Sequence, residues 1–156
     1  MGEGFCESCS TVSLIKHIAS IGGWNGEKDE KSRKFLSDLK DLFTEYNDAP
    51  LNHVCQVLKN WDAGVCDYGL GAHPHIFFID DREPEHIDRL KHKLDAITLL
   101  IRRPGDENIE ISNHADALVF DYTYDYVVMN DGDLEQLKMR AAQFINLIFQ
   151  DNYDII

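Results

Sequence analysis

Apolar positions recur along this chain with two different periods, and their alternation predicts an order of elements. Val12, Leu14, Ile15, Ile18 and Ala19 share one helical face, with Ser10 or Thr11 placed to cap its start and Gly22-Gly23 to stop it. Beyond the polar turn Asn25-Gly26, Phe35, Leu36, Leu39, Leu42 and Phe43 form the stripe of a second helix that ends near Tyr46. Pro50 suits the first turn of a third helix, whose stripe is Val54, Val57 and Leu58 and which runs to about Trp61. The glycine-bearing segment from Asp62 to Ala72 reads as a loop.

The second half has a different rhythm. His75 to Ile79 is a short apolar run followed by the charged turn Asp80-Asp81-Arg82-Glu83-Pro84 and a helix carrying Ile87, Leu90 and Leu94. Ala96 to Ile101 reads as a strand buried on both faces and closed by Arg102-Arg103-Pro104-Gly105. A polar stretch reaches about Asp116, and Tyr124 to Met129 is a further strand. Asn130-Asp131-Gly132 then turns into a helix with Leu134, Leu137, Ala141, Phe144, Ile145 and Ile148 on one face. Strands alternating with helices predict right-handed crossovers and a parallel sheet in a layered α/β domain.

Length and composition narrow the class. The 156 residues, 44% hydrophobic and 28% charged, fit one water-soluble domain over residues 1–156. The 15 Lys+Arg against 28 Asp+Glu give a net charge of −13, which repels a phosphate backbone or an anionic bilayer, so nucleic acid and membrane are not expected partners. A small anion is still compatible, because a few local cations dominate at short range. Cys6, Cys9, Cys55 and Cys66 are too few for a disulfide scaffold and read as reduced thiols of a cytoplasmic protein, and no stretch has the length of a membrane span.

In open α/β sheets ligands bind beyond the carboxyl ends of the strands. Here those positions hold Asp80, Asp81 and Arg82, then Arg102 and Arg103, then Asn130 and Asp131. An Asp at a strand end can hold Mg²⁺ against phosphates, and arginines neutralise phosphoryl oxygens. The bland alternative is that the same residues are solvated turns and helix caps. Gly2 to Thr11, running into a helix, has the placement of a phosphate-cradling loop, but Ser8 and Cys9 stand where glycine and lysine would precede its hydroxyl residue. A rival use of the same segment is zinc, with Cys6 and Cys9 joined by Cys55, Cys66, His73 or His75.

The stretch Gly26 to Asp41 with Arg33 and Asp38, then Asn47-Asp48-Ala49-Pro50, Asp81-Arg82-Glu83-Pro84, Tyr124-Asp125-Tyr126 and Asn130-Asp131-Gly132 resembles small P-loop kinases of the nucleoside monophosphate kinase type, over roughly residues 8 to 149. The resemblance implies a three-layer P-loop NTPase-like fold, a parallel sheet flanked by helices, and ATP-dependent phosphoryl transfer to a nucleoside monophosphate with Mg²⁺. It implies that Ser8, Cys9, Ser10 and Thr11 occupy the phosphate loop, with Ser10 and Asp80 at the metal. By the same resemblance Arg82 would lie near the transferring phosphates, Arg102 or Arg103 would serve as a lid arginine, Arg33 and Asp38 would belong to the acceptor arm, and Asn130, Asp131 and Gly132 would lie beside adenine. Set against that pattern, the first central strand is expected to be missing, since Gly2-Glu3-Gly4 is poor strand material, and a homodimer is one way to replace it. The absent lysine makes nucleotide binding without efficient turnover, as in a regulatory module, the alternative to a working kinase.

Overall fold

The computed structural model describes residues 5–67, 75–105 and 118–153, and places nine elements there: β1 (Phe5–Ser10), α1 (Ser13–Ile21), α2 (Glu30–Asn47), α3 (Ala49–Asp67), β2 (His75–Asp80), α4 (Pro84–Leu94), β3 (Leu99–Arg102), β4 (Tyr126–Met129) and α5 (Leu134–Tyr153). The chain divides into two compact units, Met1–Arg82 and Glu83–Ile156. Each contains one parallel two-stranded sheet, β1 with β2 in the first and β3 with β4 in the second. The mixed helix-and-strand composition and the parallel pairing expected from the alternating pattern are therefore present as two small sheets.

In the first unit, Ile15 and Ala19, four residues apart on α1, are buried, as are Pro50, Leu51, Val54 and Cys55 of α3, the helix that α1 packs against. Helix α1, expected to be capped by Ser10 or Thr11, instead follows Val12 with no side-chain cap bond, whereas α2 forms where the sequence caps it. Asp29 accepts a hydrogen bond from Ser32 N–H at 2.7 Å and opens α2. Asp48, left-handed at φ 58°, ends it and passes directly into α3, whose second residue is Pro50. Gly23, at φ 97°, completes the stop after α1 that the double glycine predicts.

Two expectations are corrected here. The strand expected to be missing exists: β1 pairs with β2 over six register positions, from Phe5 with His75 to Ser10 with Asp80. A full ladder against the apolar run of β2, with Trp61 of α3 packed 5.4 Å from Phe77, outweighs the weak intrinsic strand preference of Phe-Cys-Glu-Ser-Cys-Ser. The sequence-based reason for borrowing a strand from a second copy goes with it. The loop expected from Asp62 is helical to Asp67 as the continuation of α3, and the rest of that expected loop, from residue 68 to 72, lies outside the described residues.

The second unit places α4 as the proline predicts, with Pro84 in its first turn and Ile87 and Leu90 buried. Tyr126 N–H donates to Thr98 O at 3.0 Å and Asn130 N–H to Arg102 O at 2.7 Å, bracketing the β3–β4 ladder. The helix α5 covers β4 through Tyr126 and Phe144, whose rings meet edge-on at 5.4 Å. The expectation that the run to Ile101 is buried on both faces does not hold, because Ile101 is 57% exposed. Among the described residues, the helix of this unit packs on β4 and leaves this part of β3 open.

The start of β3 is fixed by a reciprocal cap. Asp125 accepts hydrogen bonds from Thr98 N–H at 2.9 Å, Thr98 Oγ1 at 2.8 Å and Lys91 Nζ at 2.5 Å, while Asp125 N–H donates to Thr98 Oγ1 at 2.9 Å. The Lys91 bond first, then the two Thr98 bonds, hold the Asp125 carboxyl down to about 2. The folded value lies below that of the unfolded chain, so this stabilisation is present above the ordinary carboxylate range and is lost as pH falls through about 2. Carbon-detected NMR titration is expected to place the Asp125 midpoint near 2, and Thr98→Val is expected to raise it and cost about 1–2 kcal/mol. An Asp125 that titrates with the exposed carboxylates removes the cap.

Candidate functional site

The first unit builds a chemically mixed edge where β1 and β2 end. Ser10 and Asp80 are register partners of adjacent parallel strands, so a hydroxyl and a carboxylate share one sheet face at a strand spacing of about 4.8 Å. The sequence-predicted metal pair is thus brought together. The chain passes from Ser10 through Thr11 and Val12 into α1, and Thr11, 2% exposed, donates its N–H to Asp80 O at 3.4 Å. Ser10 Oγ accepts from Val12 N–H at 3.3 Å and Ser13 Oγ accepts from Ser10 N–H at 3.3 Å. This two-residue link is a strand–turn–helix junction that meets its amides with its own hydroxyls.

The residues expected to form a phosphate loop are placed differently. Ser8 and Cys9 lie inside β1 rather than in a loop, with Ser8 N–H turned to Glu7 Oε1 at 3.4 Å and the Cys9 thiol to Ser10 O at 3.7 Å. Burial, ahead of every other influence, pushes the Cys9 thiol above its usual range, which suits a packing residue rather than a thiolate. The strand also separates the Cys-x-x-Cys pair, since positions three apart in β1 point to opposite faces. Cys55 is buried on α3, the side chains of Cys66 and His75 and the whole of His73 lie outside the described set, and among the described residues no group of His, Cys, Asp and Glu is arranged to hold a metal ion.

A cation that sequence reasoning passed over reaches the same edge. Lys40 of α2 lies buried with its Nζ 3.9 Å from Asp81 Oδ1, the side chains being 10% and 4% exposed. Asp81, one residue past the end of β2, also accepts from Arg82 N–H at 2.7 Å. Of the two adjacent aspartates it is the second that turns inward, while Asp80 is exposed. The signal available in the sequence was slight: Lys40 follows Leu39 on the border of the apolar stripe of α2.

The acceptor-arm residues are not drawn into that edge by any described contact. Arg33 Nε donates to Lys28 O at 3.1 Å and Asp38 pairs with Lys34 at 2.8 Å, both on the exposed side of α2. Five residues apart, they are turned about 140° from each other around the helix.

In the second unit the carboxyl ends of β3 and β4 gather arginines and amides. Arg102 lies 5.4 Å from the centre of the Phe120 ring. With its amide oriented by the hydrogen-bond network, Asn130 accepts from Arg103 Nε at 2.9 Å and from Nη2 at 3.3 Å. Arg140 of α5 pairs with Asp131 at 2.5 Å and donates to Met129 O. Asp133 and Gln136 form a reciprocal capping box at the head of α5, at 2.9 and 3.2 Å. A Cβ on Gly132 would lie 1.6 Å from Gln136 Oε1, so glycine there makes room for the cap. At residues 130 to 133 the helix-cap role of this turn is visible in the geometry.

A shallow cleft of about 530 Å³ in the same unit is lined by Asp88, Lys91 and His92 of α4 and by Leu118, Asp121 and Tyr122. Tyr122 donates to Asp88 at 2.7 Å, and desolvation, followed by that bond, pushes its phenol up to about 12. No helix among the described residues is long and apolar enough to cross a membrane. Compared with protein-family models, with curated proteins and with solved structures, the chain gives no match.

Proposed function

We propose that this protein binds a nucleoside triphosphate with Mg²⁺ at the carboxyl edge of β1 and β2, on the plan of a nucleoside monophosphate kinase but with little turnover. The observation that carries this reading is the register pairing of Ser10 with Asp80 immediately ahead of α1, which puts a hydroxyl and a carboxylate side by side where a strand–turn–helix junction meets its parallel neighbour. Ser10 and Asp80 would hold the ion, whose charge offsets that of the phosphates in a chain with a net charge of −13.

Weak turnover follows from the short link. With only Thr11 and Val12 between strand and helix, no run of glycine amides wraps the phosphates, and electrostatic stabilisation of a transferring group depends on many such donors acting together. A working kinase is the second reading, and Arg82, two residues past β2, favours it as a group able to neutralise phosphoryl charge.

Thermal melting with ATP, and ATP consumption with each nucleoside monophosphate, separate these outcomes. Mg-ATP at about a hundred times its Kd is expected to stabilise the fold by about 2.7 kcal/mol, with no consumption. Asp80→Asn is expected to remove the magnesium-dependent part of that shift. Consumption stimulated by one monophosphate makes the protein a kinase, and the absence of any nucleotide-dependent shift overturns the nucleotide reading.

A further inference from the structure

We propose that the cleft between α4 and residues 118–123 is a binding site for a small aliphatic diamine or polyamine, held through the carboxylates of Asp88 and Asp121. All the residues that line it belong to the second unit, so it is independent of the nucleotide reading at the β1–β2 edge.

The volume, about 530 Å³, falls in the range of small-molecule sites. The charges decide which molecule. Lys91 is committed to Asp125 at 2.5 Å, in the cap that starts β3. Tyr122 adds no charge, because desolvation, and then its bond to Asp88, push the phenol up to about 12. His92, the other ionisable group of the lining, pairs with neither carboxylate. Asp121 is exposed, and its side chain has no hydrogen bond or ion pair among the described residues. Asp88, also exposed, meets only the Tyr122 hydroxyl, at 2.7 Å, and a neutral hydroxyl does not cancel its charge. The cleft thus presents two uncompensated negative charges, in a chain whose net charge of −13 draws cations toward it.

The kind of cation follows from what surrounds those charges. A metal ion needs several oxygen or nitrogen ligands converging at about 2.0–2.6 Å, and among the described residues no group of His, Cys, Asp and Glu is so arranged. An ammonium needs only a carboxylate within hydrogen-bond distance. Between the carboxylates and beside them the lining is apolar, with Pro84, the Tyr122 ring and Leu118, whose side chain the fold leaves 55% exposed. One carboxylate on α4 and one on the turn ahead of β4 therefore suit two ammonium groups joined by an alkyl stem. Binding forms ion pairs, with no proton transfer and no covalent step.

Calorimetric titration of 1,4-diaminobutane and of spermidine into the full chain at pH 8, above the ordinary range of imidazole protonation, tests this. Saturable binding at one site per chain is expected, with butylamine, which has a single ammonium, about 10-fold weaker or more. Asp121→Asn should weaken diamine binding about 5- to 10-fold, and Asp88→Asn/Asp121→Asn about 30- to 100-fold. An asparagine at 88 still accepts the Tyr122 hydroxyl, and the Asp121 side chain holds nothing in place, so circular dichroism should show both variants folded.

Glu45→Gln/Asp62→Asn removes the same two charges from exposed positions of the first unit, and should change the affinity less than about twofold. If that control weakens binding as much as the cleft pair does, the amine answers only the net charge, and the proposal falls. Magnesium chloride that binds as tightly as the diamine and is lost with Asp121→Asn overturns the amine class. A parent chain with no saturable diamine binding overturns the site and leaves the nucleotide reading untouched.

Discussion

Lys40→Met is expected to destabilise the protein by about 3–5 kcal/mol, a large share of the stability of a domain this size, as read from urea unfolding monitored by circular dichroism. The substitution conserves length and apolar volume, so packing changes little. The cost arises because the ammonium is taken from a carboxylate whose side chain is only 4% exposed, and that carboxylate keeps its desolvation penalty when its cation is gone. Adding Asp81→Asn should recover more than half of the loss, since the amide can still accept the Arg82 N–H and no longer carries charge. Equal stability of Lys40→Met and the parent would show that the pair is solvated in solution and would remove the electrostatic argument at this edge.

Ile15→Ala should cost about 2–5 kcal/mol, and lower the melting temperature by about 10 °C or more. Ile15 is wholly covered, on the α1 face that joins Leu51 and Val54 of α3 in the core of the first unit. Truncating it removes apolar surface burial and leaves a void that close-packed neighbours fill only in part. Ile21→Ala on the same helix is the control, because Ile21 is 76% exposed and its loss should stay within about 0.5 kcal/mol. Similar costs for the two would contradict the packing of α1.

The stripes of α1 and α4 were legible because burial repeats along one face, whereas the stripe expected for α2 is open to solvent at Phe35 and Leu42, 44% and 61% exposed. Ile15 and Ala19, Leu51 and Val54, and Ile87 and Leu90 are all buried, each pair three or four residues apart. Caps were legible for the same local reason: Gly22-Gly23, Pro50 and Pro84 act through their own backbone preferences. Strand β1 was not legible, because its six residues carry no alternating apolar signal and are held by their ladder to β2, some seventy positions away. The inward turn of Asp81 and the burial of Lys40 were hidden likewise, since adjacent Asp80 and Asp81 are chemically identical and only the direction of the chain beyond β2 distinguishes them.

From its sequence alone this protein is determined to be an acidic chain of amphipathic helices and short parallel strands, with arginines, aspartates and an asparagine after those strands. Period, charge and turn chemistry are properties of neighbouring residues, and they need no partner to act. The tertiary structure decided which segment pairs with β2, that Ser10 stands beside Asp80, and that Lys40 is the lysine carried to that edge. Those facts depend on contacts between positions far apart in the chain, where the free energy of pairing and burial outweighs what any single stretch prefers by itself.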